Sequence, residues 1–381
     1  SVHVLRAWMA GSEYEQDFTG ILEDALSFPV PMIPLGDDLF VCELFHGPTL
    51  SFKDFGARTM ARLLGHRLAR TGERRVILVA TSGDTGSAVA DGFAGIDGID
   101  VVLLYPDGGV SEVQERQLIV SRPNVYPFAV QGSFDDCQRM VKAAFKAESW
   151  DGIPLSTANS INIARLLPQM LYYWWAVLNV TRGLNLDTPS ICVPSGNLGN
   201  LTAAMLAHKS GMPVAGFVAA HNANDFFPRY LTDASAAFGP TIQTLSNAMD
   251  VGAPSNFERL LHLLPREEMN RLIQAASFDD TRTIAVMHSV HQSTGYMADP
   301  HTAVGLGVVA DQRRSGTLRG PAIVMSTAHP AKFPDTCFKA IGTYPVEPER
   351  LAVLKDMPNA KRPIEADTDA LGREVRSDLG F

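Results

Sequence analysis

Cysteine is scarce in this chain and does not occur in metal-binding or redox spacing. The four cysteines among the 381 residues are Cys42, Cys137, Cys192 and Cys337, and no two of them form a Cys-x-x-Cys pair. So few cysteines over this length exclude a disulfide framework of the kind that stabilises small secreted proteins. A reducing compartment, the cytoplasm, is the simplest interpretation.

The sequence also lacks an excess of basic residues. Its 32 lysines and arginines are outnumbered by 41 aspartates and glutamates, which gives a formal net charge of −9. This balance argues against nucleic acid or an anionic membrane surface as a partner, while a single basic pocket remains compatible with it. The composition, with 46% hydrophobic and 19% charged residues, is that of a folded globular protein. At roughly 100–200 residues per domain, the length suggests two or three domains.

Neither a secretory signal nor a membrane span is evident. The chain starts at Ser1 without an initiator methionine and without a basic segment leading into an apolar one. We therefore expect no secretory peptide, and we infer that the sequence begins inside a longer chain. The most apolar stretch, residues 166–180, is too short to cross a bilayer and is interpreted as a buried helix.

Short apolar runs alternate with helix-like stretches, and several of the runs end in glycine-containing turns. The runs predicted as strands are residues 75–80, 101–105, 190–194, 214–220 and 322–325. Continuous apolar strands that alternate with helices are typical of parallel sheets covered on both faces. Open α/β sheets bind ligands at the carboxyl ends of their strands. We therefore expect a site at the turns 81–86, 106–109 and 195–200.

The turn at 195–200 has the composition of an anion-binding turn. It reads Ser-Gly-Asn-Leu-Gly-Asn between a strand that ends at Pro194 and a helix predicted from about Leu201. Glycine lets the backbone approach a ligand closely, and free backbone N–H groups at a helix start favour a phosphate. The sequence is neither a Walker A loop nor a dinucleotide fingerprint. The alternative is a plain strand-to-helix turn.

The turn at 81–86, Thr-Ser-Gly-Asp-Thr-Gly, is a second candidate. Ser82 and Thr85 offer hydroxyl donors that suit a small carboxylate. Asp84 stands near the predicted helix start, where a negative charge is favourable to the helix dipole. Simple capping of the helix by Asp84 is therefore an equally good interpretation.

A lysine follows the Gly-Pro turn at 47–48 and stands at a predicted helix start. Ser51 is a suitable N-cap for a helix over residues 52–68, which places Lys53 in its first turn. The positive helix end and the apolar neighbours both disfavour an ammonium there. Such a lysine is suited to Schiff-base chemistry, whereas the alternative is an exposed and inert side chain.

A further polar segment precedes the most apolar stretch. Asn159 or Ser160 is predicted to cap a helix that runs into Leu166 and beyond, and Arg165 lies about one turn inside this helix, at the edge of the apolar stretch. A partly buried arginine needs an anionic partner, and either a substrate phosphate or a structural carboxylate meets that need.

Residues 326–332, Ser-Thr-Ala-His-Pro-Ala-Lys, follow the last predicted strand and place hydroxyls at its end.

Metal-dependent and Ser-His-Asp hydrolase chemistry receive little support. His288 and His291 are spaced to share a helix face, but no further ligand stands at a recognised spacing for a metal site. The chain has no Gly-x-Ser-x-Gly motif, which disfavours a Ser-His-Asp hydrolase.

Taken in order, these segments resemble the threonine synthases, a family of pyridoxal-phosphate enzymes with the tryptophan-synthase-β-like fold (fold type II). The resemblance covers most of the chain, and together the motifs are specific although each alone is weak. The matching segments are residues 46–55, 81–86, 159–162 with Arg165, 195–200, 247–250, 254–259, 299–304 and 326–333. The family usually has a further N-terminal segment of a few dozen residues, which fits the missing methionine.

The resemblance implies an α/β fold with two lobes of mostly parallel, twisted sheet flanked by helices, and a cofactor in the cleft between the lobes. Residues 1–58 are expected to pack on the large lobe and to carry the cofactor lysine. Residues 59–155 are expected to form a smaller, mobile lobe. Residues 156–381 are expected to form the larger cofactor-binding lobe with a C-terminal tail.

The resemblance also assigns cofactor contacts. Lys53 is expected to bind pyridoxal 5'-phosphate covalently and to shuttle protons, and Thr327 to meet the pyridine nitrogen through its hydroxyl. The residues expected to cradle the cofactor phosphate are Gly196, Asn197, Leu198, Gly199 and Asn200. Many relatives have asparagine where Asp84 stands, beside the phenolic oxygen. Asp84 is therefore expected either to share a proton there or to point elsewhere.

Substrate contacts follow in the same way. Ser82 and Thr85 are expected to hold the substrate carboxylate, and Asn159, Ser160 and Arg165 the substrate phosphate. The implied reaction converts O-phospho-L-homoserine and water to L-threonine and phosphate, by γ-elimination and β-addition.

The nearest rivals are other enzymes of the same fold, namely a serine/threonine dehydratase or a phospho-lyase resembling threonine synthase. A non-catalytic binding or signalling protein of this fold is the rival from a different class. We expect no metal, nucleic-acid or membrane partner. The sequence leaves the choice between a monomer and a homodimer open.

Overall fold

The computed structural model of this chain describes residues 2–381. The described residues group into two compact units. The first unit contains the residues up to Trp8 together with Phe28–Phe52 and Leu166–Val346, and the second contains Met9–Ser27, Lys53–Arg165 and Glu347–Phe381. We call them the six-stranded unit and the five-stranded unit, after the sheet that each contains.

Helices and strands alternate through most of the described chain. The strands are β1 (Met32–Gly36), β2 (Leu39–Glu43), β3 (Arg75–Ala80), β4 (Ile99–Pro106), β5 (Val125–Gln131), β6 (Leu155–Ser156), β7 (Ser190–Pro194), β8 (Gly216–His221), β9 (Ile273–Ser277), β10 (Ala322–Ser326) and β11 (Arg362–Glu365). The α-helices are α1 (Val2–Met9), α2 (Phe18–Ala25), α3 (Lys53–Thr71), α4 (Asp84–Phe93), α5 (Glu112–Ile119), α6 (Phe134–Ala144), α7 (Ile163–Leu166), α8 (Met170–Leu178), α9 (Gly199–Lys209), α10 (Phe226–Thr232), α11 (Phe257–Leu263), α12 (Arg266–Leu272), α13 (Asp280–Thr294), α14 (Pro300–Arg314), α15 (Pro334–Ile341), α16 (Glu349–Ala352) and α17 (Thr368–Leu379).

The sheet of the six-stranded unit has the order β1-β2-β10-β7-β8-β9. β1 and β2 form an antiparallel hairpin, and every other neighbouring pair in the sheet is parallel. The central strands carry fully buried apolar side chains, and α14 covers one face with buried residues such as Val304 and Val308. Because neighbouring strands run in the same direction, the carboxyl ends of β7 and β10 lie at the same edge of the sheet.

The sheet of the five-stranded unit has the order β11-β5-β4-β3-β6 and is parallel throughout. Successive residues of β3 point to opposite faces, as the pleat requires. Ile77 and Val79 pack with the α3 and α4 side of the core, whereas Val76 and Leu78 pack with the α6 and α17 side. Burial on both faces explains why the strands read as continuous apolar runs.

Local signals in the sequence account for several helix ends. Ser111 and Ser133 each begin a capping box, in which the serine hydroxyl accepts from the third helical N–H group and the third side chain accepts from the serine N–H group. Asp299 caps α14, and Pro300 follows at the first helical position. Gly295 ends α13 with a positive φ of 74°, a conformation that glycine adopts without steric cost.

All five runs predicted as strands are strands in the structure, with ends that differ by a few residues at most. The apolar stretch at 166–180 contains helix α8, whose residues Met170–Tyr173 are buried. No helix within residues 2–381 combines the length and the apolar character that a membrane crossing requires.

The C-terminal tail differs from the expectation, which placed residues 156–381 in one lobe. Glu347–Phe381 belong to the five-stranded unit, and so do Lys53 and residues 156–165. The tail joins this unit because β11 pairs in parallel with β5 and α17 packs on α6. The indole of Trp150 also donates to the carbonyl oxygen of Thr368 over 3.1 Å. A strand of four residues with alternating exposure gives little sequence signal of the sheet that it joins.

Candidate active site

The segment before Lys53 is fixed to the segment that follows β10 in the six-stranded unit. The N–H group of Phe52 donates to the carbonyl oxygen of Thr327 over 2.9 Å, and that of His329 donates to Leu50 over 3.1 Å. The fully buried ammonium of Lys332 donates to the carbonyl oxygen of Thr49 over 3.0 Å. Lys53 therefore directly follows Phe52, a residue that is hydrogen-bonded to Thr327.

Lys53 lies in the first turn of α3, as predicted, but the helix begins at Lys53 itself and Ser51 does not cap it. Ser51 forms a bridge with Ala328, and its buried hydroxyl has no hydrogen-bond partner among the described residues. Pairing with Ala328 holds Ser51 in an extended segment. The helix starts two residues later, after Phe52.

Within the five-stranded unit, Lys53 lies beside a carboxylate. Its Nζ atom is 4.0 Å from Oδ2 of Asp84, and the two side chains are 15% and 2% exposed. A carboxylate at this distance favours the ammonium form and so opposes the helix end and the apolar neighbours that the sequence analysis considered. The sequence did not reveal this pair, because Asp84 is 31 positions away along the chain.

The turn at 81–86 is shaped by Thr81 rather than by Asp84. The Thr81 hydroxyl oxygen accepts from the N–H groups of Gly83 at 3.0 Å and Gly86 at 2.8 Å. Gly83 is the N-cap residue of α4, with a φ of 132°, and Asp84 is the first residue of the helix. Asp84 therefore lies in the first turn, where its charge is favourable to the helix dipole.

The two hydroxyls proposed for a substrate carboxylate stand on either side of Asp84. Ser82 and Thr85 are both half-buried. The structure thus leaves part of each side chain accessible at the carboxyl end of β3, which is the expected place for a ligand.

Arg165 is buried far more deeply than the sequence suggested. It is 2% exposed and donates through Nη1 to the carbonyl oxygen of Ala158. Burial lowers the pKa of this guanidinium to about 10, while the charge of Asp54 acts in the opposite direction. Gly56 makes room for the side chain, since a Cβ there would lie 2.9 Å from Nε of Arg165.

The helix that contains Arg165 is short and begins at Ile163, so the residue before it is Asn162, and Asn159 and Ser160 stand farther from its start than predicted. The side chain of Asn162 accepts from the N–H group of Ala164 over 3.0 Å, so this asparagine holds the helix start. Asn159 and Ser160 stand in the preceding turn, both half-buried. Oδ1 of Asn159 is buried and accepts no hydrogen bond from any residue of the described chain.

In the six-stranded unit, the turn at 195–200 joins β7 to α9. The helix begins at Gly199, two residues before the predicted start, and Leu198 precedes it with a φ of 60° and a ψ of 4°. The N–H groups of the first helical turn have no acceptor within their own helix. Since α9 has 11 residues, its dipole adds to the attraction of these groups for an anion.

The segments that contain Met249 and Ser255 hold the turn at 195–200 in place. A Cβ on Gly196 would lie 2.6 Å from the Cα atom of Met249, so the two backbones approach as closely as only glycine allows. Oδ1 of Asn197 accepts from the N–H group of Ser255 over 2.6 Å, and Nδ2 of Asn256 donates to the carbonyl oxygen of Asn197 over 3.2 Å. The segments 247–250 and 254–259, which the sequence analysis recorded without a role, therefore support the turn at 195–200.

Asn200 provides the test of whether the turn suits a phosphate group. The hydroxyls of Tyr172 and Tyr173 both donate to its Oδ1, each over 2.5 Å. Its Nδ2 is buried and has no acceptor within residues 2–381. The protein thus supplies hydrogen bonds to Oδ1 of Asn200, whereas the Nδ2 group of the same side chain, at the start of α9, has no acceptor among the described residues. This arrangement fits a phosphate oxygen.

The structure adds residues that the sequence analysis did not assign to a site. Tyr172 and Tyr173 belong to a stretch that was interpreted only as core, and nothing in that pattern distinguishes a tyrosine that orients Asn200. Lys332 is inside a recorded motif without a role. Nδ1 of His288 donates to the carbonyl oxygen of Ala340 over 3.1 Å. No group of three or more potential metal ligands occurs within residues 2–381.

Two family models match the chain. The model described as pyridoxal-phosphate dependent enzyme matches residues 29–327, and the model described as threonine synthase, C-terminal, matches residues 302–375. The second match includes β11 and most of α17, which complete the five-stranded unit.

Curated relatives and solved structures agree with these matches. A threonine synthase from Serratia marcescens is 41% identical over 362 residues, which cover 94% of this chain and 82% of that protein. The crystal structure of threonine synthase from Escherichia coli has a TM-score of 0.90 and 38% identity, covering 99% of this chain and 87% of that one. A pyridoxal-phosphate-bound threonine synthase from Brucella melitensis also has a TM-score of 0.90, with 34% identity and coverage of 99% and 88%.

Proposed function

Since this chain belongs to the threonine synthase family of pyridoxal-phosphate-dependent lyases, we propose that it converts O-phospho-L-homoserine and water to L-threonine and phosphate. The observation that carries this proposal is the setting of Lys53. It begins α3, it pairs with a buried carboxylate, and the residue before it is hydrogen-bonded to Thr327. A mostly buried lysine at a helix start is suited to covalent catalysis, and the neighbouring carboxylate stabilises its ammonium form.

Pyridoxal 5'-phosphate is the cofactor of the family, and the residues of this chain fit it. In the proposal, Lys53 binds its aldehyde, and the Thr327 hydroxyl meets its ring nitrogen. The residues that hold its phosphate are Gly196, Asn197, Leu198, Gly199 and Asn200. The unsatisfied Nδ2 of Asn200 and the positive start of α9 support this assignment. When bound, the cofactor supplies an electron sink that stabilises negative charge at the substrate carbon next to nitrogen.

The proposal gives Asp84 a role other than sharing a proton at the phenolic oxygen of the cofactor. Its carboxylate faces Lys53 Nζ and accepts from the amide of Gln114. The proposal therefore places it as the partner of the lysine ammonium, which is the second of the two alternatives drawn from the sequence.

The proposed substrate contacts use hydroxyls, amides and one guanidinium. Ser82 and Thr85 donate to the carboxylate of the substrate. Asn159, Ser160 and Arg165 hold its phosphate, where the guanidinium stabilises the charge that develops as phosphate leaves. The deep burial of Arg165 strengthens this interaction because water screens it little.

The chemical steps require one group that moves protons. In the proposal, Nζ of Lys53 removes the proton from Cα, gives it up, and then removes one from Cβ. Phosphate leaves from Cγ with the electron pair of the C–O bond, and Lys53 returns a proton to Cγ. Water then adds its oxygen at Cβ and loses a proton, and a proton is returned to Cα, which gives L-threonine. General acid–base catalysis of this kind typically contributes about 10²–10⁴-fold to a rate.

The experiment that tests the proposal is Lys53→Ala, assayed with O-phosphohomoserine. We expect the visible absorbance of the lysine-bound cofactor to disappear and threonine formation to fall by ~10³-fold or more. Lys142→Ala is the matched control, because Lys142 is an exposed lysine of the same unit. Formation of an oxo acid and ammonia by the unmodified chain would instead identify a phospho-lyase. Full turnover by Lys53→Ala would contradict the role of the lysine.

We also propose a cytoplasmic location and a small-molecule substrate for this protein. The four cysteines are free and buried, which supports a reducing cytoplasmic location. The net charge of −9 supports a small-molecule substrate over a nucleic-acid partner. A monomer and a homodimer are both compatible with the proposed chemistry.

A further inference from the structure

Gln114 is a buried amide that reaches the turn at 81–86 from helix α5. It is fully buried, its Nε2 donates to Oδ1 of Asp84 over 3.0 Å, and its Oε1 accepts from the N–H group of Ser111 over 3.2 Å. A carboxylate oxygen only accepts and a backbone N–H group only donates, so the two bonds fix the orientation of the amide.

The turn is shaped to receive this amide. Gly83 has a φ of 132°, and a Cβ at this position would lie 2.7 Å from Cδ of Gln114. Glycine is therefore needed at position 83 for its conformation and for the space that the amide occupies. A side chain there would displace the amide from Asp84.

The bond to Gln114 determines how Asp84 meets Lys53. Oδ1 of Asp84 is held by the amide, and Oδ2 is the atom 4.0 Å from Nζ of Lys53. A buried carboxylate is costly unless it is hydrogen-bonded and paired. A donor to the ionised carboxylate favours that form, so the amide stabilises the ion pair through Asp84.

We propose that Gln114 is a positioning residue for Lys53. It orients the carboxylate of Asp84 and keeps it ionised, and this carboxylate sets the pH range over which the Lys53 amine carries its proton. The inference deepens the proposed function and rests on the role that it gives to Lys53. In that role the amine acts as a neutral base in one step and as an ammonium acid in the next, and the carboxylate of Asp84 sets the balance between the two forms.

The test measures the charge of the Lys53 amine directly. The full chain, freed of pyridoxal phosphate, is acetylated with a trace amount of acetic anhydride at a series of pH values. Mass spectrometry of the peptide that contains Lys53 gives the pH of half-maximal reaction. Asp84→Asn is expected to lower this midpoint by about one pH unit or more, because an opposite charge is lost. Gln114→Leu is expected to lower it by about half a unit, because the ionised carboxylate loses a donor.

A double variant separates positioning from general structural damage. If Gln114 acts through Asp84, Gln114→Leu adds nothing to the midpoint of Asp84→Asn. Ser111→Ala is the matched control, because it removes the other bond of the same capping box and leaves the bond to Asp84; its midpoint is expected to equal that of the unmodified chain. Asp54 and Arg165, which interact with each other, and Arg58, which also lies in α3, are the same in all variants.

The outcomes are distinct. Equal midpoints for Gln114→Leu and the unmodified chain, or additive shifts in the double variant, would overturn the proposal. Should Gln114→Leu fail to fold, Gln114→Met fills similar space without a donor and is judged by the same criteria. Because no cofactor or substrate is present, the shifts can occur even if Lys53 proves not to be the cofactor lysine. Failure of the proposed function is thereby distinguishable from failure of this inference.

Discussion

The turns at 195–200 and 81–86 look alike in sequence but hold their surroundings by opposite means. Each joins a buried parallel strand to a helix through glycine and small polar residues. The first contains no charged residue and offers N–H donors, with Asn200 held by two tyrosine hydroxyls. The second contains a buried carboxylate that is bonded to an amide and paired with a lysine. Similar glycine turns thus present hydrogen-bond donors in one unit and an ion pair in the other.

This difference assigns a separate task to each unit. A turn of donors without a counter-charge suits a permanent anion such as a cofactor phosphate. A carboxylate fixed beside an amine suits a group that must gain and lose a proton. Variants of the two turns should therefore fail in different ways.

The largest effect in the first turn is expected from Gly196→Ala. The new methyl group would meet the backbone of Met249 at 2.6 Å, and a backbone cannot move aside as a flexible side chain can. We expect a loss of about 1–3 kcal/mol in the free energy of unfolding, together with weaker cofactor binding because the turn shifts. Denaturant unfolding and titration with pyridoxal phosphate measure the two quantities.

Gly20→Ala is the control for this prediction. Gly20 lies inside α2, and a Cβ there would meet nothing within 4 Å. The same chemical change is expected to be neutral or to stabilise by up to about 1 kcal/mol, because alanine favours a helix over glycine. Equal effects of the two substitutions would show that the contact with Met249 does not matter.

A smaller effect, confined to the cofactor, is expected from Asn200→Asp. The change keeps the shape of the side chain but puts a negative charge where the turn offers a donor. We expect the dissociation constant of pyridoxal phosphate to rise by at least about tenfold, or about 1.4 kcal/mol. Asn200→Ala separates the two causes, because it removes the donor without adding a charge and should weaken binding less. Tighter binding by Asn200→Asp would refute the phosphate assignment.

The sequence predicts the two turns themselves, but it does not predict which side chains contact the residues in them. The turns, the strands before them and Lys53 at a helix start all follow from local patterns that the chain carries within a few residues. Asp84 next to Lys53 and Gln114 next to Asp84 depend on how α3, α4 and α5 pack. Such contacts join residues about 30 positions apart and leave no periodic signal.

The C-terminal tail illustrates the same limit at the level of the fold. The sequence analysis placed it as a tail of the larger lobe, whereas its helix α17 has one buried side and belongs to the five-stranded unit. Its membership of the five-stranded unit depends on β11, whose burial alternates between half-buried and exposed. An edge strand of this kind is held mainly by backbone pairing with its neighbour β5. Backbone pairing leaves no pattern of side chains from which the sequence would predict it.

The smallest effect, and the finest test of the comparison, is expected from Tyr173→Phe. The hydroxyl of Tyr173 donates to Asn200, and burial raises the pKa of this hydroxyl well above its usual value, so it remains a neutral donor at any pH at which the enzyme works. Its loss should cost about 1 kcal/mol, which corresponds to roughly fivefold weaker binding of pyridoxal phosphate. Tyr105→Phe removes a hydroxyl that donates to Glu115 over 3.1 Å in the five-stranded unit and should leave cofactor affinity unchanged. If both substitutions weaken binding equally, the effect arises from general destabilisation. A loss specific to Tyr173→Phe would show that the orientation of Asn200 is part of the phosphate site.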